Sequence, residues 1–258
     1  MRTLSVLIVA VALGLGTGCV KMQMETVIES DGSGTCTVAY GMSREVADAI
    51  AKMSELDSGT MGGSAEMPSL EDMTRDNMEA ACREAGVKLV DHQYTDDASG
   101  THLTMKLAFD DVANLSGALD ALGANEDGGR EHLGIFQAGD GNLILKVIAA
   151  SDEEAAEEPA EEEETADEDE AGGEEDMAKM QEAMQYMGVL MAHSNELDVR
   201  MTVTVPGDVV SSNAPEVEGR TSIWAINASN MMAAQSMDME PEIVFSGKGL
   251  KIKAGEEE

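Results

Sequence analysis

Apolar and polar positions alternate along this chain with two different periods, and the changes of period mark its elements. Val20, Met22 and Met24 alternate with Lys21, Gln23 and Glu25, a period of two that predicts a strand with one apolar face. "ESDGSG" (29–34) has Asp-Gly at its centre, a turn signal, and "TCTVAYG" (35–41) reads as the second arm of a hairpin. The period then lengthens: Val46, Ala49, Ile50 and Met53 recur at helical spacing behind Ser43, a good N-cap. After the Gly/Ser/Met loop "DSGTMGGSAEMP", Ser69 and Asp72 are spaced as a capping box for a second helix ending at Ala85 and Gly86. "VKLVDHQYT" and "THLTMKLAF" predict a hairpin about "DDASG". Asp110 then caps a helix bearing Val112, Leu115, Leu119 and Leu122, stopped by Gly123. "HLGIFQ" and "NLILKVIAA" form a further hairpin turning at Gly139-Asp140-Gly141.

The periodicity stops at residues 151–176. This stretch has one proline, no apolar repeat and a solid block of like charge, so it cannot bury enough surface to offset its chain entropy and is expected to be disordered. It lacks the spacing of oxygen ligands that a calcium loop needs. Helical spacing returns at Met177, Met180, Met184, Met187 and Met191, which step by 3, 4, 3 and 4 into one stripe. The stripe is expected to pack on the sheet or a partner helix, with an adaptable apolar groove as the other use of soft thioethers. "LDVRMTVTVPG" (197–207) is a strand with Leu197, Val199, Met201, Val203 and Val205 on one face, "RTSIWAI" (220–226) is another, and "EIVFSG" with "GLKIKA" predicts a last hairpin. The elements describe an α+β fold: an antiparallel sheet of hairpins covered by amphipathic helices and interrupted by the acidic insertion.

Composition then narrows the setting. Acidic residues outnumber basic ones 51 to 16, a net charge of −35 that excludes nucleic acid as a partner. Residues 152–176 hold 16 of those acids and no Lys or Arg, so the rest of the chain still carries −19. Aromatics are scarce at 3% while methionine is abundant at 20, so the core is expected to rest on Val, Ile, Leu, Ala and Met.

The chain begins with Arg2 and the apolar run "LSVLIVAVALGL" (4–15), which as a helix spans about 18 Å against a hydrocarbon core of about 30 Å. Small residues follow, then Cys19. The pattern resembles a bacterial lipoprotein signal, in which residues 1–18 are removed and the cysteine thiol carries a diacylglycerol; Gly16 stands where such signals favour Leu, while Thr17 and Gly18 match. Acyl chains on Cys19 are then expected to tether the chain to a membrane. Val20 in place of Asp after the cysteine favours the outer membrane.

Two longer stretches, "CVKMQMETVIESDGSGTCTVAYGMS" and "VTVPGDVVSSNAPEVEGRTSIWAIN", resemble the recurring pieces of LppM-type envelope lipoproteins: a strand, an Asp-Gly-Ser turn and a strand after the lipidated cysteine, then a strand ending in Pro-Gly and a strand with Trp. The resemblance implies that residues 19–150 and 177–258 are two parts of one α+β domain, with 151–176 inserted on its surface. It also implies envelope association and a lipid-binding surface. Family members commonly carry a C-terminal membrane helix; this chain ends "KIKAGEEE", so Cys19 is the tether expected here.

Candidate chemistry is thin. Cys36 and Cys82 are left after Cys19, and in an exported chain they read either as one disulfide or as two buried thiols. His92, His102, His132 and His193 show no metal spacing, and no hydrolase, metalloprotease, phosphate-loop or dinucleotide motif occurs. Trp224 is expected in the core, or in a binding surface if partly exposed. Neither a cofactor nor an enzymatic activity is expected. The leading expectation is a lipid-anchored envelope module, binding or structural, with an apolar groove formed around the Met stripe and Trp224. The alternative is an envelope adaptor that meets a protein partner through the acidic tract and the Met-rich helix.

Overall fold

The computed structural model describes residues 20–57, 73–120, 131–149, 174–230 and 239–255. Cys19 and the tract 151–173 lie outside the described residues. The chain runs β1 (Val20–Ile28), β2 (Gly34–Ser43), α1 (Arg44–Asp57), α2 (Arg75–Glu84), β3 (Lys88–Asp97), β4 (Gly100–Phe109), α3 (Ala113–Asp120), β5 (Glu131–Gln137), β6 (Asn142–Ala149), α4 (Glu174–His193), β7 (Leu197–Thr204), β8 (Val209–Ser212), β9 (Glu216–Glu218), β10 (Thr221–Asn227) and β11 (Ile243–Ser246). A seven-stranded sheet has the order β3-β4-β2-β1-β7-β10-β9, and a four-stranded sheet the order β5-β6-β11-β8. The fold is α+β and mostly antiparallel, as the patterning predicts. One pairing is parallel: β1 lies beside β7 in register from Val20↔Leu197 to Val27↔Thr204. The segments before and after the acidic tract therefore share one sheet.

Each hairpin follows its turn residues, and the helices follow their caps with small corrections. The Ser43 hydroxyl accepts from Val46 N at 3.4 Å, opening α1 as expected. Ser69 and Asp72 lie outside the described residues; α2 is opened by Thr74, whose Oγ1 accepts from Asn77 N at 3.4 Å. It closes in a Schellman motif: Val87 N donates to Cys82 O (2.7 Å) and Gly86 N to Arg83 O (3.3 Å), with Gly86 at φ +73°, a conformation that suits glycine. Asp111 rather than Asp110 caps α3, accepting from Ala113 N at 3.0 Å; Leu122 and Gly123 lie outside the described residues. Helix α4 starts at Glu174, so the last three residues of the tract expected to be disordered are helical.

Two further differences have tertiary causes. "GLKIKA" is no hairpin arm. Its backbone crosses back, with Lys251 N on Ser30 O (2.8 Å) and Gly255 bonded to Ile135 and Gln137 of β5, while β11 pairs with β6 and β8. The short strands β8 and β9, of four and three residues, are too short to carry a periodic signal, and pairing with β11 and β10 forms them.

One face of the large sheet is apolar. Its buried residues Cys36, Val38, Leu103, Met105, Leu107, Met201, Val203 and Trp224 join Met78 and Cys82 of α2, Leu115 of α3, and Leu143, Leu145, Ile243 and Phe245 of the small sheet in one core. The Pro206-Gly207 corner after β7 explains part of the second stretch singled out in the sequence. A Cβ on Gly207 would stand 2.0 Å from Ser246 O and 3.3 Å from the Phe245 ring, so only glycine lets the two backbones approach there.

Candidate functional site

The residues nearest the expected lipidation point sit at one end of the large sheet. Val20 pairs with Met42 on one side and with Leu197 on the other. Met42 is the penultimate residue of β2, directly before α1, and Leu197 follows α4 after a single 3-10 turn (Ser194–Glu196). The start of β1 thus meets the start of α1 and the end of α4. A small cluster fills the junction: Met42 and Val46 are buried, and Val20, Tyr40, Ala47, Ile50 and Leu190 pack against them. Its buried pair is distinct from the main core, and Tyr40 packs against both.

Polar contacts hold the helices in place. His193 stands between Glu45 (3.4 Å) and Glu196 (3.8 Å), linking the last turn of α4 to the first turn of α1. Arg44 binds the β3–β4 turn, its guanidinium meeting the Asp96 carboxylate and donating to the Asp97 carbonyl at 2.6 Å. The turn is itself tightened by Ser99, whose N–H and hydroxyl both bond the Asp97 carboxylate and hold its pKa below the ordinary 3.8.

The methionine stripe is not a packing stripe where its side chains are described. Met184, Met187 and Met191 are 67%, 47% and 68% exposed, so these three do not pack on the sheet, the first of the two expected uses of the stripe. Instead Ala183, Tyr186, Leu190 and His193, which also step by 3, 4 and 3, form with Val189 the half-buried side of α4 among the described residues. Helical spacing alone cannot choose between these two stripes. The signal that separates them is content, since the inward one holds the helix's only leucine and only tyrosine. Met177 and Met180 lie in α4, but their side chains are outside the described residues.

Trp224 is fully buried in the main core. Its indole Nε1 and the neighbouring Ser222 Oγ have no hydrogen-bond partner, so this part of the interior is apolar to the point of leaving two polar atoms unmet. The two best-formed concavities are open clefts elsewhere, one by Arg220 and Lys248 and one by Arg83 and Lys88, and neither includes the methionines or Trp224. Among the described residues, Met184, Met187 and Met191 present an exposed surface.

Cys36 and Cys82 are both buried and both free thiols. Cys36 lies on β2 opposite Thr26, and burial pushes its pKa up to about 11 against the Thr26 hydroxyl, which pulls it down. Burial also raises that of Cys82 on α2. Protonated thiols of this kind are poor nucleophiles. His92 and His102 point to opposite sides of their hairpin, His92 paired with Met105 and His102 with Thr95, and the His92 Nε2 contacts Met73 O at 2.9 Å. Among the described residues no group of three His, Cys, Asp or Glu side chains could hold a metal ion, and no helix is long and apolar enough to cross a membrane.

No protein-family model matches the sequence, and no curated protein does. Among solved structures, the chain is similar to the folded domain of the Mycobacterium tuberculosis LppM protein, determined by NMR. The two are 13% identical with a TM-score of 0.36, over 89% of this chain and 90% of that one, a weak structural relationship.

Proposed function

We propose that this chain is a lipid-anchored protein of the bacterial cell envelope, held by acyl chains on Cys19, with the outer membrane the favoured site. It acts there as a binding or structural module and not as a catalyst. The observation that carries the reading is the position of β1. The strand starts at Val20, one residue after Cys19, and is central in the large sheet, hydrogen-bonded to β2 on one side and β7 on the other. Acyl chains on Cys19 would act on a rigid element and hold that end of the domain against the bilayer with no spacer. The likeness of residues 19–43 and 203–227 to LppM-type lipoproteins supports the same reading, and so do the two inert thiols.

The test is the chemistry of the mature N-terminus. Mass spectrometry of the protein from a lipoprotein-processing host is expected to find a first residue Cys19 carrying diacylglycerol, with incorporated palmitate lost in Cys19→Ser. A mature chain with an unmodified Cys19 thiol would overturn the proposal.

A further inference from the structure

We infer that the exposed methionine face of α4 lies on the bilayer that anchors Cys19, with Met184, Met187 and Met191 seated at the boundary of headgroups and acyl chains. The inference rests on the Cys19 anchor and adds the surface through which the domain itself touches lipid.

Three observations converge on it. The first is place. Leu190, one residue before Met191 and one turn after Met187, packs on the same Met42–Val46 pair as Val20. The turn of α4 that holds Leu190, flanked by Met187 and Met191, therefore shares its packing cluster with the strand end at which an acyl chain would enter the membrane. The second is charge. In a chain of net charge −35 with 26% charged residues, the ten residues Ala183–Ala192 carry none. The acids of this helix, Glu174, Glu175, Asp176 and Glu182, all precede that stretch, and the acids nearest its far end, Glu45 of α1 and Glu196, both face His193. Charged side chains are costly to move into a bilayer, so an uncharged face meets it at the lowest cost. The third is side-chain type. Met184, Met187 and Met191 are long, unbranched and exposed, and flexible thioethers adapt to a fluid, unstructured partner better than to one fixed shape. The contact can be weak, because a tether keeps the face at the membrane at high effective concentration.

Methionine oxidation reads this directly. The acylated protein, bound to phosphatidylethanolamine/phosphatidylcholine vesicles at large lipid excess, is treated with hydrogen peroxide beside the soluble Cys19→Ser chain, and sulfoxides are quantified by peptide mass spectrometry. Met184, Met187 and Met191 are expected to oxidise about five-fold or more slowly on vesicles, since burial of a thioether blocks the oxidant. Met73 and Met239, which pack against the main core instead, are expected to change by less than about two-fold. Equal rates for the three α4 methionines in both forms overturn the inference and leave the anchor intact. Protection that vanishes as lipid excess is raised assigns the face to a second copy of the chain, and protection seen only in native envelopes assigns it to a partner protein; either also overturns it. Failure of the acylated preparation to float with the vesicles overturns the anchor and the inference together.

Discussion

The apolar face of the large sheet is covered in two ways, and the two ends differ in kind. At one end Trp224 and Leu107 of the large sheet close against Leu145 and Phe245 of the small sheet and against helices α2 and α3, with their side chains fully or almost fully buried. At the other, the buried cluster is Met42 and Val46, with Ala49 of α1 buried as well, under two helices that keep several of their apolar residues at the surface. A thick interior at one end can hold the fold by itself, since hydrophobic stabilisation scales with area removed from water. The thin end is then free to carry a surface that folding does not require.

That contrast can be broken most severely at Trp224. Trp224→Ala should lose about 3–5 kcal/mol, the usual cost of removing a large aromatic from a closed core, read as a fall in the urea midpoint. Gly207→Ala tests the same end by overfilling it: a methyl 2.0 Å from Ser246 O forces the Pro206–Gly207 corner off β11. A loss of about 1–3 kcal/mol is expected, with the far cluster unaffected. Leu190→Ala, at the thin end, should cost about 1–2 kcal/mol because the side chain is only half buried. Met187→Gln, three residues away and outward, should stay within about 0.5 kcal/mol of the native protein. If Met187→Gln destabilises as much as Leu190→Ala, α4 is turned the other way and the two ends are alike. The smallest effect is chemical. With Cys19 acylated, neither Cys36 nor Cys82 should react with a disulfide reagent at neutral pH in the native state, and both should react in denaturant. Labelling of native Cys36 should become measurable only as the pH is raised toward its pKa of about 11, where the thiolate forms. An absence of thiols in denaturant would show that the two are bridged.

Much of the fold is legible along the chain because it is set by local rules. The strand-turn-strand from Val20 to Gly41, the hairpins at 87–109 and 132–149, and the helix stop at Gly86 all rest on period, turn residues and caps within a few positions of each other. The errors have the opposite character. "GLKIKA" has a strand's alternation, yet the backbone near it is claimed by Ser30 and β5, both far away in sequence. The Asp110–Asp111 choice turned on which carboxylate met an N–H, a matter of one residue that composition cannot settle.

The candidate site shows the division most clearly. By itself the sequence determined that Cys19 stands directly before a strand, that α4 has an uncharged methionine-rich half, and that Cys36 and Cys82 have no histidine neighbour in the chain. Only the tertiary structure decided that β1 lies parallel to β7, which carries the end of α4 to Val20, and that Leu190 rather than the methionines turns inward. The physical reason is degeneracy. Residues 183, 186, 190 and 193 and residues 184, 187 and 191 have the same helical spacing, and the choice between them is made by what Met42 and Val46 offer across the sheet, a contact separated by well over a hundred residues of chain.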